Sequence, residues 1–534
     1  MYLVSVHDSR TGFTLRSAIP DHGKQTASLM AFAGARFSRS DKSTEDIFHE
    51  ILEAGSNAQE KLANIFRNYG HASVADMANL FVYIENVPKH YEARFFNETS
   101  IGGGQARSSR YQDFGNGTLY DLKYYFPDSV RDPQYAELNQ DFIDLQKTSI
   151  GLFNTWKEKV KTAYIDYYGI DTQNKREVGA LTARVFDTAR GFLFSGINTR
   201  TSIAWITNAR EWARIIGAFK GSQDTMLTYL GEHIEALLAP DEHIKVGIGY
   251  VPEAPDLIKY TGADESGKNI KQEVKKFLQA KGFELYASTN TKETSFAREL
   301  KAFAWPTHLS ASQKVILQQI IKLYPSIDLN QCVLFLHSLD DDEQRELGQL
   351  VFEGFDHHTQ MDILYRVNSI SFDLQLTNAE AIDLNRHRAW GRFSPLWSSE
   401  NDSFDCISNG YIAPLYLSEV AGLRWLYNDF QADMDALYSS LQLLLRRIGK
   451  LDWFENWLIP QMLPLAHNAR LQMHGSIKEL SYMSMLRVRP GGHINYRDIA
   501  WQIAELGSRD PLLSSLAIAD RPDPSSRTEF VDRS

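Results

Sequence analysis

The feature that most restricts this chain is that its landmarks occur twice, half a chain apart. Phe66-Arg67-Asn68-Tyr69-Gly70-His71, with Asp76 five residues beyond the histidine, returns as Phe352-Glu353-Gly354-Phe355-Asp356-His357 with Asp362 at the same interval. Ala189-Arg190-Gly191-Phe192-Leu193 leads to Asn208-Ala209-Arg210-Glu211, and Leu463-Pro464-Leu465 leads to Ser476-Ile477-Lys478-Glu479 at nearly the same distance. Recurrence in the same order points to duplication of one folding unit. With 534 residues, 43% of them apolar, two such units each have enough material for a full core.

Local patterns support that division. Phe142, Leu145, Phe153, Trp156, Val160 and Tyr164 recur largely at three- and four-residue steps, which predicts a long core-facing helix over 134–164. Leu437, Leu441, Leu444, Leu445 and Ile448 predict its counterpart, ended by Gly449. Between them, Val251 to Lys271 contains Pro252, Pro255, Gly262 and Gly267 among charged residues and reads as a linker or exposed turn-rich connection. The expected organisation is a first unit at 1–250, a linker region at 251–289, a second unit at 290–510 and a loose, Pro-containing tail at 511–534.

Composition removes several classes of function. Cys332 and Cys406 stand alone, so neither a disulfide framework nor a cysteine zinc site is expected, and a reducing compartment, the cytoplasm, fits best. A net charge of -11 and a pI near 5.8 argue against a large nucleic-acid footprint. No apolar run approaches a membrane span, and the first twenty residues lack a secretory pattern. Short arginine-rich segments in an acidic protein still suit a mononucleotide, because the guanidinium fork grips phosphate in bidentate fashion.

Two segments carry such chemistry. Arg386-His387-Arg388, with Asn385 before it and Arg392 after it, concentrates cationic groups in the second half, although a lone basic triplet is more often a solvated turn. In the first half Gly102-Gly103-Gly104 precedes Ser108-Ser109-Arg110-Tyr111, where Ser108 and Arg110 together suit an anion. The alternative there is a flexible surface loop, since the glycines fit no dinucleotide or P-loop spacing. His357-His358 has no third ligand at metal spacing, and Trp453-Phe454-x-x-Trp457 reads as core.

These residues resemble the flavin-dependent thymidylate synthase family. That family carries Arg-His-Arg followed by Ser-x-Arg-Tyr, a preceding His-x4-acidic element, and then Ala-Arg-x-x-Leu-Pro, Asn-x-Arg and a further Arg. Here Ala35-Arg36-Phe37-Ser38, His71 with Asp76, Ser108-x-Arg110-Tyr111, Ala189-Arg190 with Leu193, and Asn208-x-Arg210 look like its landmarks in the first half. The second half supplies His357 with Asp362, Arg386-His387-Arg388, Gly391-Arg392-Phe393-Ser394, Leu463-Pro464-Leu465 and Arg487. Neither half holds the whole pattern. The first reads Glu98-Thr99-Ser100 where Arg-His-Arg is expected, and Phe219 or Lys220 where the last Arg belongs. The second has a shortened loop after Arg388, with Ser476 and Lys478 standing for Asn208 and Arg210. The losses are complementary, so a tandem chain can assemble one complete site from both halves.

The resemblance implies an α+β fold of two tandem units, each an antiparallel sheet flanked by long helices. It implies reductive methylation of dUMP to dTMP with FAD, methylenetetrahydrofolate as carbon donor and NADPH as reductant. By the same resemblance Ser108, Arg110, Tyr111 and Arg190 hold the nucleotide, while Arg386, His387, Arg388, His71, Asn208 and Arg210 hold the flavin. Arg487 polarises the pyrimidine. A homodimer of the double-length chain would reproduce the family's tetramer. A non-catalytic nucleotide-binding or scaffolding relative, or a flavoenzyme acting on another pyrimidine nucleotide, is the alternative expectation.

Overall fold

The computed structural model describes residues 2–7, 12, 14–19, 27–28, 31, 41–42, 46, 72–99, 101–110, 112–240, 252–264, 266–283, 296–304, 309, 311–352, 370–385, 387, 390–397, 404–475, 480, 483, 487–508 and 520–532. In chain order the strands are β1 (Tyr2–His7), β2 (Thr14–Ile19), β3 (Asn79–Pro88), β4 (Gly103–Ala106), β5 (Arg200–Asn208), β6 (Ala297–Arg298), β7 (Lys301–Ala304), β8 (Ile370–Thr377), β9 (Gly391–Phe393), β10 (Tyr411–Ile412) and β11 (Asn468–Gly475). The principal helices are α1 (Lys89–Glu98), α2 (Tyr135–Tyr168), α3 (Lys175–Ala189), α4 (Ala209–Lys220), α5 (Thr225–Leu238), α6 (Ser266–Ala280), α7 (Ala311–Leu323), α8 (Leu329–Ser338), α9 (Asp341–Phe352), α10 (Asn378–Leu384), α11 (Arg424–Ile448), α12 (Ile494–Ser508) and α13 (Arg527–Val531). The class is α+β, and the strand pairings described in the two larger sheets are antiparallel.

Two compact units interleave along the chain. One comprises Met1–Val87, Glu98–Arg107 and Arg200–Glu265, the other Pro88–Asn97, Ser108–Thr199 and Ser266–Ser534. The first holds a five-stranded sheet in the order β1-β2-β3-β5-β4. Along β3 the side chains of Leu80, Val82 and Ile84 alternate inward, the period-two pattern of a sheet with one core face. Gly104 is required where β4 meets β5, because a Cβ there would lie 2.2 Å from the Ala204 carbonyl oxygen.

The second unit holds a four-stranded sheet in the order β7-β8-β11-β9 and a two-residue parallel pair, β10 with β6. The expected helix at 134–164 is α2, closed by Gly169 in the left-handed region, with all six anticipated core residues buried. Its counterpart is α11, which ends at Gly449 as the sequence indicates. The two pack on each other: Trp156 Nε1 donates to Asp433 Oδ2 at 2.9 Å, and its ring meets Phe430 edge-on at 5.3 Å. A further core gathers Val274, Leu278, Ile320, Cys332, Leu336 and Leu347 from α6 to α9. The stretch expected as a linker therefore carries a packed helix: apolar residues on α6 found an unfilled face among α7 to α9.

Two stretches of the described chain share much of their order of elements. β3 leads into α1, then β4, α2, α3, the turn at Leu193–Ser195 and β5; β8 leads into α10, then β9, β10, α11, the turn at Leu463–Leu465 and β11, so the orders agree apart from α3 in the first and β10 in the second. Strand order matches too, β3-β5-β4 against β8-β11-β9. At the start of α1, Lys89 N donates to Thr199 O at 2.9 Å and His90 N to Ser195 O at 2.6 Å. At the start of α10, Asn378 N donates to His467 O at 2.9 Å and Ala379 N to Leu465 O at 3.0 Å. The equivalent turns also bond to each other, Ser195 N to Leu463 O at 2.9 Å and Leu465 N to Leu193 O at 2.6 Å, around a bridge between Phe194 and Pro464.

Composition suggests a loose tail, but its last described part is docked. Phe530 is buried and stacks on Tyr168 with ring centroids 4.0 Å apart, and Arg527 lies 3.0 Å from Glu177. One aromatic side chain holds a segment that composition reads as polar.

Candidate functional site

The candidate site is built on α3 and the single 3-10 turn that follows it. Asn174 caps α3 by accepting from Arg176 N. Arg184, Asp187 and Arg190 then fall three residues apart, which places all three on one face. That face is inside the protein: the side chains of Arg184 and Arg190 are 1% exposed and that of Asp187 is fully enclosed.

Asp187 is the centre of the cluster. Arg110 grips it with a bidentate fork, Nε to Oδ1 and Nη2 to Oδ2, both at 2.8 Å. Arg184 Nη1 and Arg190 Nη2 approach the same carboxylate at 3.8 Å. Burial works to raise the Asp187 carboxyl, and the charges of Arg110 and Arg190 outweigh it, holding the group well below the usual carboxylate range. The segment before α12 closes the cluster from the far end of the chain. Arg110 Nη1 donates to Gly491 O at 3.2 Å and Arg184 Nη1 to Gly492 O at 2.8 Å.

Arg190 joins this cluster to the second repeat. Its Nη1 donates to Ser109 Oγ at 2.6 Å, and its Nη2 lies 3.4 Å from Asp383 Oδ2 on α10. One turn earlier on α10, Glu380 closes a capping box with Thr377, and burial pushes its carboxyl up to about 7. His493 Nδ1 lies 3.2 Å from Glu380 Oε1, and burial pushes this imidazole down to about 3. The pair therefore keeps its proton on the carboxyl in mildly acidic solution. His387 Nε2 lies 3.1 Å from Tyr496 Oη, and the Arg487 guanidinium lies over the same ring at 5.5 Å. Burial first, then the charges of Arg487 and Arg392, push His387 down to about 3.

The arrangement has more donors than acceptors. Three guanidinium groups, those of Arg110, Arg184 and Arg190, face the carboxylates of Asp187 and Asp383. Arg184 Nε and Nη2, Arg190 Nε and Arg487 Nε are buried without a hydrogen-bond partner among the described residues. A buried donor left unmade costs about 1–3 kcal/mol. Several around one carboxylate are the electrostatic signature of a place for an anion.

The structure brings Ser108, Arg110 and Arg190 to one cluster, while His387 and Arg487 meet at Tyr496. Ser108 Oγ accepts from the Arg110 backbone at 3.2 Å, whereas the neighbouring Ser109 meets Arg190. Asn208 and Arg210 belong to the other compact unit. Asn208 caps α4 by accepting from Glu211 N at 2.8 Å, and half-exposed Arg210 lies 3.3 Å from Asp76. Tyr111, His71, Arg386 and Arg388 lie outside the described residues, as do His357 and Asp362. Sequence reasoning missed Ser109, Arg184, Asp187, Glu380, Asp383 and His493. The Arg-x-x-Asp-x-x-Arg spacing at 184–190 was the available signal, for it sets opposite charges on one helical face.

Fold and cluster together define the class: an α+β protein of repeated strand–helix units with a buried, arginine-rich anion cluster. Residues 19–223 match the family model Thy1, described as thymidylate synthase complementing protein. A UPF0159 protein of Chlamydia muridarum (strain MoPn / Nigg) is 22% identical over 489 residues, covering 86% of this chain and 81% of its own length. A crystal structure of thymidylate synthase X from Helicobacter pylori with FAD and dUMP is similar at 13% identity and a TM-score of 0.24, covering 48% of this chain and 100% of its own. A second structure of that flavin-dependent enzyme, also complexed with FAD and dUMP, gives 11% identity, a TM-score of 0.23, and coverage of 44% and 92% respectively.

Proposed function

We propose that this chain is a flavin-dependent thymidylate synthase-like enzyme that methylates dUMP, with its nucleotide phosphate in the cluster around Asp187. The observation that carries this reading is the set of buried, unpartnered guanidinium N–H groups on Arg184 and Arg190 beside Ser109 and Arg110. A phosphate supplies the acceptors these groups lack. Arg110 and Arg190 then fix the nucleotide, and Arg487, held over the Tyr496 ring, supplies a fixed cation where charge develops on the pyrimidine. Tyr111 extends the nucleotide site, and Ser108 positions the Arg110 backbone.

In this proposal FAD is held by His387 with Arg386 and Arg388, as the family resemblance implies. His387 is neutral at physiological pH and so meets the flavin as a hydrogen-bonding group, with the adjacent arginines carrying the charge. The bound flavin supplies hydride chemistry; the chain supplies binding, orientation and exclusion of water. Methylenetetrahydrofolate and NADPH are the co-substrates in this proposal, the cytoplasm its location, and a dimer of double-length chains its assembly.

One observation favours a second reading, a non-catalytic nucleotide-binding relative: Asp187 already takes both faces of the Arg110 fork. The deciding experiment is visible absorbance of the purified chain after incubation with FAD, followed by calorimetric titration with dUMP. The enzyme reading expects a flavin spectrum and dUMP binding that weakens by about 2 kcal/mol in Arg110→Ala. It also expects Arg487→Ala to lower turnover more than affinity. A colourless protein that binds dUMP supports the second reading, and one that binds neither overturns both.

A further inference from the structure

The four-stranded sheet of the second unit has one apolar face and one polar face, and the polar face is buried. Phe372, Leu374 and Leu376 on β8 and Ala469, Leu471 and Met473 on β11 make the apolar side. The alternate residues are Ser371, Asp373 and Gln375, opposite Asn468, Arg470, Gln472 and His474. A half-buried antiparallel sheet ordinarily turns such a row toward water. Here it carries orphaned groups: Asn468 Oδ1 and both amide atoms of Gln472 have no hydrogen-bond partner among the described residues.

A cavity of about 160 Å³ opens on this face. It is lined by the strand residues Asp373, Gln375, Asn468 and Arg470, by Asn409, and by Phe303 and Ile327 on its apolar side. That is room for about five waters. Asn468 is 8% exposed, bonds Asn409 O through its Nδ2 at 3.1 Å, and leaves its Oδ1 unused. None of these residues belongs to the cluster around Asp187.

The charges in the cavity are already spent. Arg470 donates through Nε to both Asp373 oxygens at 2.8 and 3.0 Å and through Nη2 to Oδ2 at 2.6 Å, while its Nη1 donates to Ile327 O. An anionic ligand would have to break a buried, bidentate ion pair, a costly exchange. The unused capacity is that of two carboxamides, Gln375, which presents a donor and an acceptor side by side, and Asn468, which offers its Oδ1. Their complement is an uncharged ring with an adjacent acceptor and donor, the lactam edge of a nucleobase, with the Phe303 and Ile327 side chains against its apolar surface.

We propose that this cavity is a second ligand site, selective for an uncharged nucleobase or nucleoside and separate from the phosphate-binding cluster. The test uses the full chain and uracil, which has no phosphate for the arginines to hold, read by saturation-transfer NMR over a concentration series. Wild type should transfer saturation to the uracil ring protons. Asn468→Leu and Gln375→Leu should each weaken binding roughly fivefold, the worth of one hydrogen bond. Arg110→Ala should leave it unchanged. Gln375→Leu guards against misfolding, because that side chain makes no hydrogen bond among the described residues, and circular dichroism of each variant checks the fold. Absence of transfer in wild type, equal transfer in both leucine variants, or loss only in Arg110→Ala would overturn the proposal.

Discussion

Asp187 shows how one buried carboxylate can organise a site. Because three guanidinium groups converge on it, Asp187→Asn leaves buried positive charge without its counter-ion, at a cost of about 3–5 kcal/mol. Urea unfolding should show that loss in chloride buffer and a partial recovery in phosphate buffer, since a bound anion stabilises by mass action. No difference between the buffers would count against the anion reading. Buried histidines give a second expectation. His90, His387, His467, His474 and His493 are each pushed from 6.5 to about 3, burial being the first cause in every case. Depressed folded values mean that the unfolded chain binds protons the native chain does not, so stability falls as pH drops below 6.5. Glu380, raised from 4.5 to about 7, works in the opposite direction between those values and offsets about one histidine. Urea midpoints measured from pH 7 to pH 5 should therefore decline, and more steeply in Glu380→Gln than in wild type.

Among the elements, the terminal helix α13 is the clearest case of packing overriding composition. Phe530 is 1% exposed against Tyr164, Tyr168 and Tyr416, while Arg527 keeps half its side chain in water. Phe530→Ala should destabilise by about 3 kcal/mol through lost burial and the cavity left behind. Arg527→Ala should cost under about 1 kcal/mol, as exposed ion pairs do. Limited proteolysis near the C-terminus, run beside urea unfolding, checks both. Equal sensitivity of the two variants would mean that charge, and not the aromatic contact, docks the helix.

For the whole molecule, the interleaving of the two compact units makes the sequence halves poor candidates for independent folding. The segment 108–199 belongs to the same unit as 266–534, and the paired turns at Leu193–Ser195 and Leu463–Leu465 bond the repeats backbone to backbone. A fragment 266–534 expressed alone should expose the apolar faces that α2 covers, Phe430 among them, and aggregate. Co-expression with 1–265 should return a soluble complex that co-purifies through a tag on either piece. Two fragments that each remain folded and monomeric would contradict this arrangement.

The amino-acid order by itself determined the two long helices with their buried faces and pointed to two of the arginines that meet at Asp187, Arg110 and Arg190. Each is a local property: period, cap and charge type are written in adjacent residues. The family pattern was legible for the same reason, since Ser108, Arg110 and Arg190 sit in short motifs. Tertiary structure decided the rest. Arg184 and Asp187 look like any charged pair on a helix until Gly491 and Gly492, three hundred residues away in sequence, close over them. The row Asn468, Arg470, Gln472, His474 is polar and yet buried, because alternation separates polar from apolar residues but does not set which face is covered. What lies over a face depends on segments distant in sequence, and only the folded chain puts them there.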